Sequence, residues 1–501
     1  MKKIILILLM QINLNCMAQN QNSVWIFGDS AGIDFSNLNN PQPVSSIMRG
    51  RGSSASISDS TGSLLFYSYT AHTTDTGTRV INSLHQLMNN GDQIVGEAWY
   101  NELVIVPMPD SSGFYYLFSI GVASGPIAFR GLFYSIIDMS ANSGLGEVVS
   151  KNNLLLNLRG LDGIVAIKHG NGRDWWVIFK PAGYYNPDNN DFYIYLISPS
   201  GISSPVIQSL GYVITTAGGC LSFNKQGNKI LMTDWRNLIQ VLDFDRCTGI
   251  LSNANIIEPE HTESGEHFSS CFSPDMSKIY TTHLLGGANQ NDSWLFQYDL
   301  TAGNIAASRD TINHGYDPEV TGTIRLAPDN KVYVSMGYYA YYFPFPDSMY
   351  YPENMNLSVI NRPDSLGDSC LFAPYSFYLG GKRTYYGLPN NPDYEMGPLI
   401  GSGCDSLVGV PGITYEVQRQ ELHVFYHPGW QVAFVNATGL SGRNYSLRVY
   451  DLTGREVFRE EGKLSSSYFT KDLRCDEFAR GMYVVSLRTE KEVLSKKFIK
   501  Q

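Results

Sequence analysis

The sequence predicts an all-β protein: a β-propeller, most simply of seven blades, followed by a small Ig-like β-sandwich. Three observations predict it. Aromatic residues make up 13% of the 501 residues, with 32 Tyr, while charged residues reach only 16%. That mixture favours strands over helix surfaces, which need Glu and Lys. The 47 Gly and 23 Pro punctuate the chain as often as many short strands and turns require. The third observation is internal repetition.

The repeated unit is an apolar strand, a corner of Pro, Asp, Asn or Gly, and a second strand rich in Tyr and β-branched residues. It occurs six times. Ser56-Ile57-Ser58 leads to Leu64-Leu65-Phe66-Tyr67, and Val104-Ile105-Val106 leads to Phe114-Tyr115-Tyr116. Ile164-Val165-Ala166-Ile167 leads to Trp175-Trp176-Val177, and Leu221-Ser222-Phe223 to Lys229-Ile230-Leu231. Cys271-Phe272-Ser273 leads to Lys278-Ile279-Tyr280, and Ile324-Arg325-Leu326 to Lys331-Val332-Tyr333. Pro presets φ at a corner, Asp, Asn or Gly closes the turn, and the flanking runs pair as a hairpin. Further alternating runs follow at Phe192–Ile197, Ile239–Phe244 and Trp294–Leu300. The unit starts lie about 46 to 60 residues apart, which suits four-stranded blades. Ser23–Gly28 and the segment Phe372–Tyr394 are left over, and a seventh blade built from both chain ends would close the ring. Six or eight blades, and stacked β-sandwiches, remain open.

The chain divides by composition. Residues 1–18 read as a signal peptide, with Lys2 and Lys3 before the apolar run Ile4–Met10 and small residues before a cut after Ala18. Cys16 as a lipidated cysteine is the alternative, disfavoured by Leu14 and Asn15 before it. No later apolar run is long enough for a transmembrane helix. Residues 19–396 are the propeller, 397–412 a Gly/Pro linker, and 413–501 the β-sandwich. Net charge is −10. Residues 19–407 hold 35 acidic against 20 basic groups, which argues against a nucleic-acid partner.

Six cysteines follow the leader, and an exported chain with an even number is a candidate for disulfides. Cys370 with Cys404 is the favoured pairing, because the two flank one loop-rich segment. Cys220 with Cys271 is second, because both open equivalent strands. The C-x-x-C spacing of zinc or redox sites does not occur, and no motif calls for a cofactor.

Two resemblances rest on particular residues. Tyr445-Ser446-Leu447-Arg448-Val449-Tyr450-Asp451-Leu452-Thr453-Gly454-Arg455, then Ala479-Arg480-Gly481-Met482-Tyr483, then Lys496-Lys497-Phe498-Ile499-Lys500, resemble the type A sorting domain of Bacteroidetes type IX secretion. The resemblance makes Gly454, Gly481, Tyr483, Lys497, Phe498 and Lys500 the sorting-signal residues. It implies export to the medium or the cell surface, with the type IX machinery as partner. Where such domains open on a Tyr-Pro-Asn-Pro-like stretch, this chain has Phe425-Tyr426-His427-Pro428-Gly429. The body, through Val24-Trp25-Ile26-Phe27-Gly28, Asp243–Asn253 and Arg325–Tyr333, resembles a Bacteroidetes family of propeller proteins of uncharacterised activity. That family implies fold and location, not chemistry.

Phe27-Gly28-Asp29-Ser30 is similar to the nucleophile block of flat serine esterases, but no His lies three residues after an Asp. A turn is the plainer reading. Glu260-His261-Thr262-Glu263-Ser264-Gly265-Glu266-His267 is the densest ligand-type cluster, yet its His residues are not at helical zincin spacing. Asp188-Asn189-Asn190-Asp191 lacks the ligand spacing of a calcium loop. Asp59 reads as a turn residue. The aromatic run Tyr338, Tyr339, Tyr341 and Tyr342, joined on one rim by Tyr184 and Tyr185 and by Tyr385 and Tyr386, reads as a stacking platform for a glycan or protein. The expected function is therefore an exported or surface-displayed binding propeller. A glycoside hydrolase or lyase with channel-lining carboxylates is the alternative, with Asp162, Asp234, Glu266 and Asp317 as first suspects. A structural or adhesion component is the third.

Overall fold

The computed structural model describes residues 20–500 apart from 72–76, 98, 122–130, 184–188, 262–264, 286–291, 317–318, 339–348, 406–419 and 465–466. The signal peptide expected over residues 1–18 lies outside the described residues. The body is built of antiparallel sheets, each meandering from strand to neighbouring strand. β1 (Val24–Phe27) and β2 (Asp29–Asp34) lead into the long β3 (Gln42–Ser58). The second half of β3 opens the first sheet, with β4 (Leu64–Ala71) and β5 (Thr78–Asn82). The second sheet is β6 (Leu103–Pro107), β7 (Phe114–Gly121), β8 (Gly131–Asp138) and β9 (Glu147–Leu156). The third is β10 (Val165–Lys168), β11 (Trp175–Phe179) and β12 (Asp191–Ser198), edged by β13 (Gly201–Ile202) and β14 (Val206–Ser209). The fourth is β15 (Gly219–Phe223), β16 (Lys229–Asp234), β17 (Ile239–Phe244) and β18 (Leu251–Glu258). The fifth is β19 (Glu266–Phe272), β20 (Lys278–Leu284), β21 (Ser293–Asp299) and β22 (Asp310–Gly315). The sixth is β23 (Glu319–Leu326), β24 (Val332–Tyr338), β25 (Asn356–Ile360) and β26 (Phe372–Tyr378).

Each of the six sequence repeats is the first hairpin of one sheet, and the three further alternating runs are the third strands β12, β17 and β21. The corners work as their residues dictate. The Asp59 carboxylate accepts from the amides of Thr61 (2.8 Å) and Ser63 (3.0 Å). Asn224 accepts from those of Asn228 and Lys229, both at 3.0 Å. Asp275 accepts from Ser277 N–H at 2.8 Å. Short polar side chains at a corner take up amides that no ladder can pair.

The first strands of successive sheets pack side by side, β3 on β6, β6 on β10, β10 on β15, β15 on β19 and β19 on β23. The gap between the sixth and first sheets is filled by the β1–β2 hairpin. Trp25, Phe27, Ile33 and Phe35 face Tyr333, Leu357 and Val359 of the sixth sheet. Val24 and Ile26 face Tyr67, Tyr69 and Ile81 of the first. Apolar residues on both faces of Val24–Phe27 are what a wedge between two sheets requires. Arg383 pairs with Asp29 and ties the two ends of the body together. The expected partner of this hairpin, Phe372–Tyr394, is divided: Phe372–Tyr378 is the outer strand of the sixth sheet, and the residues after it run down the ring's axis.

The C-terminal residues form a two-layer sandwich. One layer is β27 (Glu421–His427), β28 (Val432–Thr438) and β31 (Phe469–Arg474). The other is β29 (Asn444–Asp451), β30 (Glu456–Lys463), β32 (Gly481–Thr489) and β33 (Val493–Lys500). Leu447, Val449, Val485 and Leu487 meet Val435, Phe469 and Leu473 between the layers. This domain rests on β9 of the second sheet. Lys151 is wholly buried there, its Nζ 2.9 Å from Asp472, and the Asn436 amide bonds both backbone groups of Lys151.

The disulfide pattern differs from both pairings expected from sequence. Cys404 bonds Cys247, in the turn after β17, with Cα atoms 5.5 Å apart. Cys370, Cys220 and Cys271 are buried free thiols. The reason is the course of the chain after the axis. Residues 397–405 are drawn against the third and fourth sheets, where Arg246 donates to Gly397 O (2.7 Å) and Leu399 N–H to Gly170 O (2.8 Å). Cys370 stays in the core of the sixth sheet. Cys220 and Cys271 do lie on adjacent inner strands, with Cys220 Sγ beside Ser269 and Ser270.

Candidate ligand-binding face

The inner strands leave an axial space because they are lined by small residues: Gly52, Ser53, Ser54, Ser269, Ser270, Gly322 and Thr323. Residues 384–396 thread it. A Cβ at Gly387 would collide with the Gly52 backbone, so glycine is required for this close pass. Thr323 N–H donates to Tyr386 O at 2.7 Å, and Asn390 N–H to Ser54 O at 2.9 Å. The Asn390 amide donates to Leu103 O (3.1 Å) and Ile164 O (2.7 Å). Arg325 donates to Asn390 Oδ1 (3.3 Å), Pro389 O (3.3 Å) and the Asn101 amide oxygen, and meets Cys220 Sγ at 3.7 Å. Through Arg325 and Asn390 the first, second, third, fourth and sixth sheets are cross-linked at one level. Lower down, Tyr394 Oη donates to Ile105 O (3.0 Å), and Lys168 Nζ to Tyr394 O (2.8 Å). Residues 384–396 thus thread the axis and leave beside them a recess of about 200 Å³, lined by Val165, Leu221, Arg325, Asp393 and Glu395 among others.

At the end where each outer strand hands over to the next inner strand, aromatic rings gather over the axis. Trp99 and Trp235 stack face to face, centroids 4.8 Å apart and planes 10° from parallel. Both are half-buried. Below them Tyr100 meets Phe268 edge-on at 4.5 Å and Tyr386 at 5.8 Å, and Tyr385 meets Tyr386 at 4.6 Å. Carboxylates hold this cluster in place. Asp162 accepts from the amides of Tyr100 (3.0 Å) and Asn101 (2.7 Å), fixing the approach to β6. Glu102 accepts from Trp99 N–H at 2.7 Å and Thr70 Oγ1 at 3.0 Å. Burial, with Asp162 nearby, pushes Glu102 up to about 8. Asp234 accepts from the amides of Arg236 (2.8 Å) and Leu238 (3.0 Å), a tight turn that presents Trp235 over Gly218. Burial and the neighbouring Glu260 carboxyl raise Asp234 well above the usual carboxylate range.

Three of the sequence suspects therefore sit at this end. Asp162 and Asp234 are buried and committed to backbone amides. Glu266 opens β19, half-buried, and burial pushes it up to about 7. Asp317 lies outside the described residues, as do Tyr339, Tyr341, Tyr342, Tyr184 and Tyr185 and the side chain of Tyr338. The flanking strand ends, those of β24 and β11, belong to the same end of the ring as Trp99 and Trp235. Near Lys180, at the end of β11, burial pushes the ammonium down to about 7; its Nζ sits 4.3 Å from the Phe192 ring centroid.

Of the Glu260–His267 run, residues 262–264 lie outside the described residues; Glu260 binds Thr215 N–H and Oγ1, both at 2.6 Å, while His267 turns inward. Among the described residues no three His, Cys, Asp or Glu side chains converge as metal ligands. Asn189, Asn190 and Asp191 are engaged within their own hairpin, with Gly211 and with Ser209. Gly28 and Ser30 both take left-handed φ in the turn that contains Asp29.

Sequence reasoning missed Trp99, Trp235 and the axial segment. Both tryptophans lie outside the repeated hairpins, and only their isolation between a carboxylate and a strand marked them.

Residues 428–501 match the secretion system C-terminal sorting domain family. This segment is a type IX sorting domain. It carries the chain out of the cell, to the surface or the medium, and the type IX machinery is its partner. In the sorting domain, Asp451 accepts from the amides of Thr453 (2.9 Å) and Arg455 (3.1 Å), and Gly454 takes φ +83°. Tyr483 donates to Ala479 O (2.7 Å) and packs on buried Phe498; Lys500 donates to Phe478 O (2.7 Å), and Lys497 is exposed. No curated relative matches the chain. Similar solved structures include a proposed 6-phosphogluconolactonase from Bacteroides uniformis, 11% identical, covering 80% of this chain and 94% of that one, TM-score 0.32. A second such protein, from Bacteroides fragilis, is 10% identical, covers 81% and 96%, and has TM-score 0.34. The β-propeller domain of Swd1 from Myceliophthora thermophila is 9% identical, covers 54% and 88%, and has TM-score 0.27. At such TM-scores these likenesses transfer no residue and no activity.

Proposed function

We propose that the exported propeller captures a glycan or protein on the aromatic end of the ring, and that the sorting domain delivers it there. What supports this reading is the aromatic face. The chain's own residues thread the axis, and the face carries the stacked pair Trp99–Trp235 above Tyr100, Phe268 and Tyr386. Half-buried aromatic rings on a rigid scaffold supply contact area at little conformational cost.

One observation favours a second reading, a secreted hydrolase. Glu266 is half-buried at the same end and holds its proton near neutral pH, as a general acid must. A glycan array and a glycoside substrate screen on the mature chain test both. Trp99→Ala and Trp235→Ala are expected to weaken ligand capture by about tenfold or more, a loss of at least ~1.4 kcal/mol. Turnover abolished by Glu266→Gln, with capture unaffected by the tryptophan variants, would replace the binding reading with the enzymatic one.

A further inference from the structure

A groove of about 630 Å³ runs along the seam between the body and the sorting domain. One wall is the face of the second sheet, with Tyr116 of β7 and Tyr134 of β8, flanked by residues 198–205 of the third sheet. The other wall is β27, with Glu421 and His423, and Tyr468 just before β31. Ring contacts brace both walls. Tyr134 meets Tyr116 edge-on at 5.7 Å and His423 at 6.4 Å, and Tyr468 packs on Phe114 at 5.8 Å. A concave space of this size, walled by aromatic rings with a few polar groups between them, has the form of a small-molecule site.

The hydroxyls of Tyr116 and Tyr134 make no hydrogen bond among the described residues. Of the three body phenols on this wall, the Tyr195 hydroxyl alone is sealed from solvent. Burial raises Tyr134 above the ordinary phenol range, with the Glu421 carboxylate adding to the effect, and burial raises Tyr116 likewise. Both hydroxyls therefore keep their protons and can donate. Across the groove the Glu421 carboxylate is 43% exposed, and His423 Nε2 lies 3.1 Å from it. A carboxylate with one such neighbour can accept further bonds. Among the described lining residues there is no Lys or Arg, so an anion finds no counter-charge. A cation finds one carboxylate, already faced by His423. A wholly apolar molecule would leave the phenols and the carboxylate without partners. A peptide N–H only donates and its C=O only accepts, whereas a sugar hydroxyl does both at one atom and a sugar ring also lays C–H groups on aromatic faces.

We infer that the seam groove binds a neutral oligosaccharide, whose hydroxyls accept from Tyr116 and Tyr134 and donate to Glu421. The site shares no residue with the aromatic end of the ring and does not depend on it. Its two walls belong to different domains, so a bound sugar favours the docked arrangement over the parted one. Titration followed by saturation-transfer NMR on the mature chain tests it, with maltotriose, cellotriose, mannotriose and chitotriose as probes. At least one should bind. Glu421→Ala should weaken that binding by about tenfold or more, and Tyr134→Phe, which keeps the ring and removes the hydroxyl, by about threefold or more. At ten times its Kd the sugar should slow limited proteolysis between body and sorting domain, by up to about tenfold. Binding to none of the four, or a cleavage rate that bound sugar leaves unchanged, would overturn the inference. So would binding that survives both groove variants; its loss in Trp99→Ala would then put the sugar on the aromatic end instead.

Discussion

At each of the six repeated corners a residue turns left-handed, Gly62, Gly113, Gly172, Gly227, Met276 and Asn330, and in the second corner Asp110 does so as well. All are residues that tolerate this conformation except Met276, at φ +65°. Replacing Met276 with Asn should raise stability by about 0.5–1 kcal/mol, read as a higher urea midpoint at unchanged slope. Glu102 gives the pH counterpart. Its unfolded carboxyl releases a proton near 4.5, whereas the folded one holds it up to about 8. Between those values the unfolded chain binds fewer protons, so this group's contribution falls as pH rises from about 4.5 to 8. Glu102→Gln should therefore narrow the difference in Tm between pH 5 and pH 8, although Asp234, shifted in the same direction, keeps part of the slope. These corner residues were legible in the sequence because Asp, Asn, Gly and Pro act locally. The protonation of Glu102 was not, since it depends on burial by residues from other sheets.

At the scale of elements, the six hairpins were readable because period-two alternation and corner chemistry lie within about 20 residues of chain. The wedge β1–β2 was half readable: its apolar run on both faces announced burial, but not which sheets it would separate. The axial segment was invisible, because Asn390 is defined by partners at Leu103, Ile164 and Arg325. Disulfide pairing failed for the same reason. Cys247 and Cys404 are 157 residues apart and meet only because the chain has already crossed the ring. Contact between the sorting domain and β9 is another long-range feature, carried by Lys151, Asp472 and Asn436. Lys151→Ala should loosen that contact by roughly 1–3 kcal/mol, since Asp472 is partly solvated. Limited proteolysis between body and sorting domain should quicken, with the fragments themselves still folded; an unchanged cleavage rate would mean that the contact does not hold the domain.

For the whole molecule, export and fold follow from two independent features, a sorting domain at one end and a ring of sheets before it. The type of activity depends on a third, the state of the axis. In an open channel, inward-facing carboxylates would have made an enzyme the natural reading. With Tyr386, Asn390 and Tyr394 threading it, the proposed ligand site is the aromatic end. Amide hydrogen exchange on the mature chain measures that state directly. The amides of Thr384 and Asn390, bonded to Asn354 O and Ser54 O, should exchange as slowly as those of the inner strands β6 and β23. Exchange there as fast as in exposed loops would show an axis open to solvent and would contradict a ligand site confined to the face.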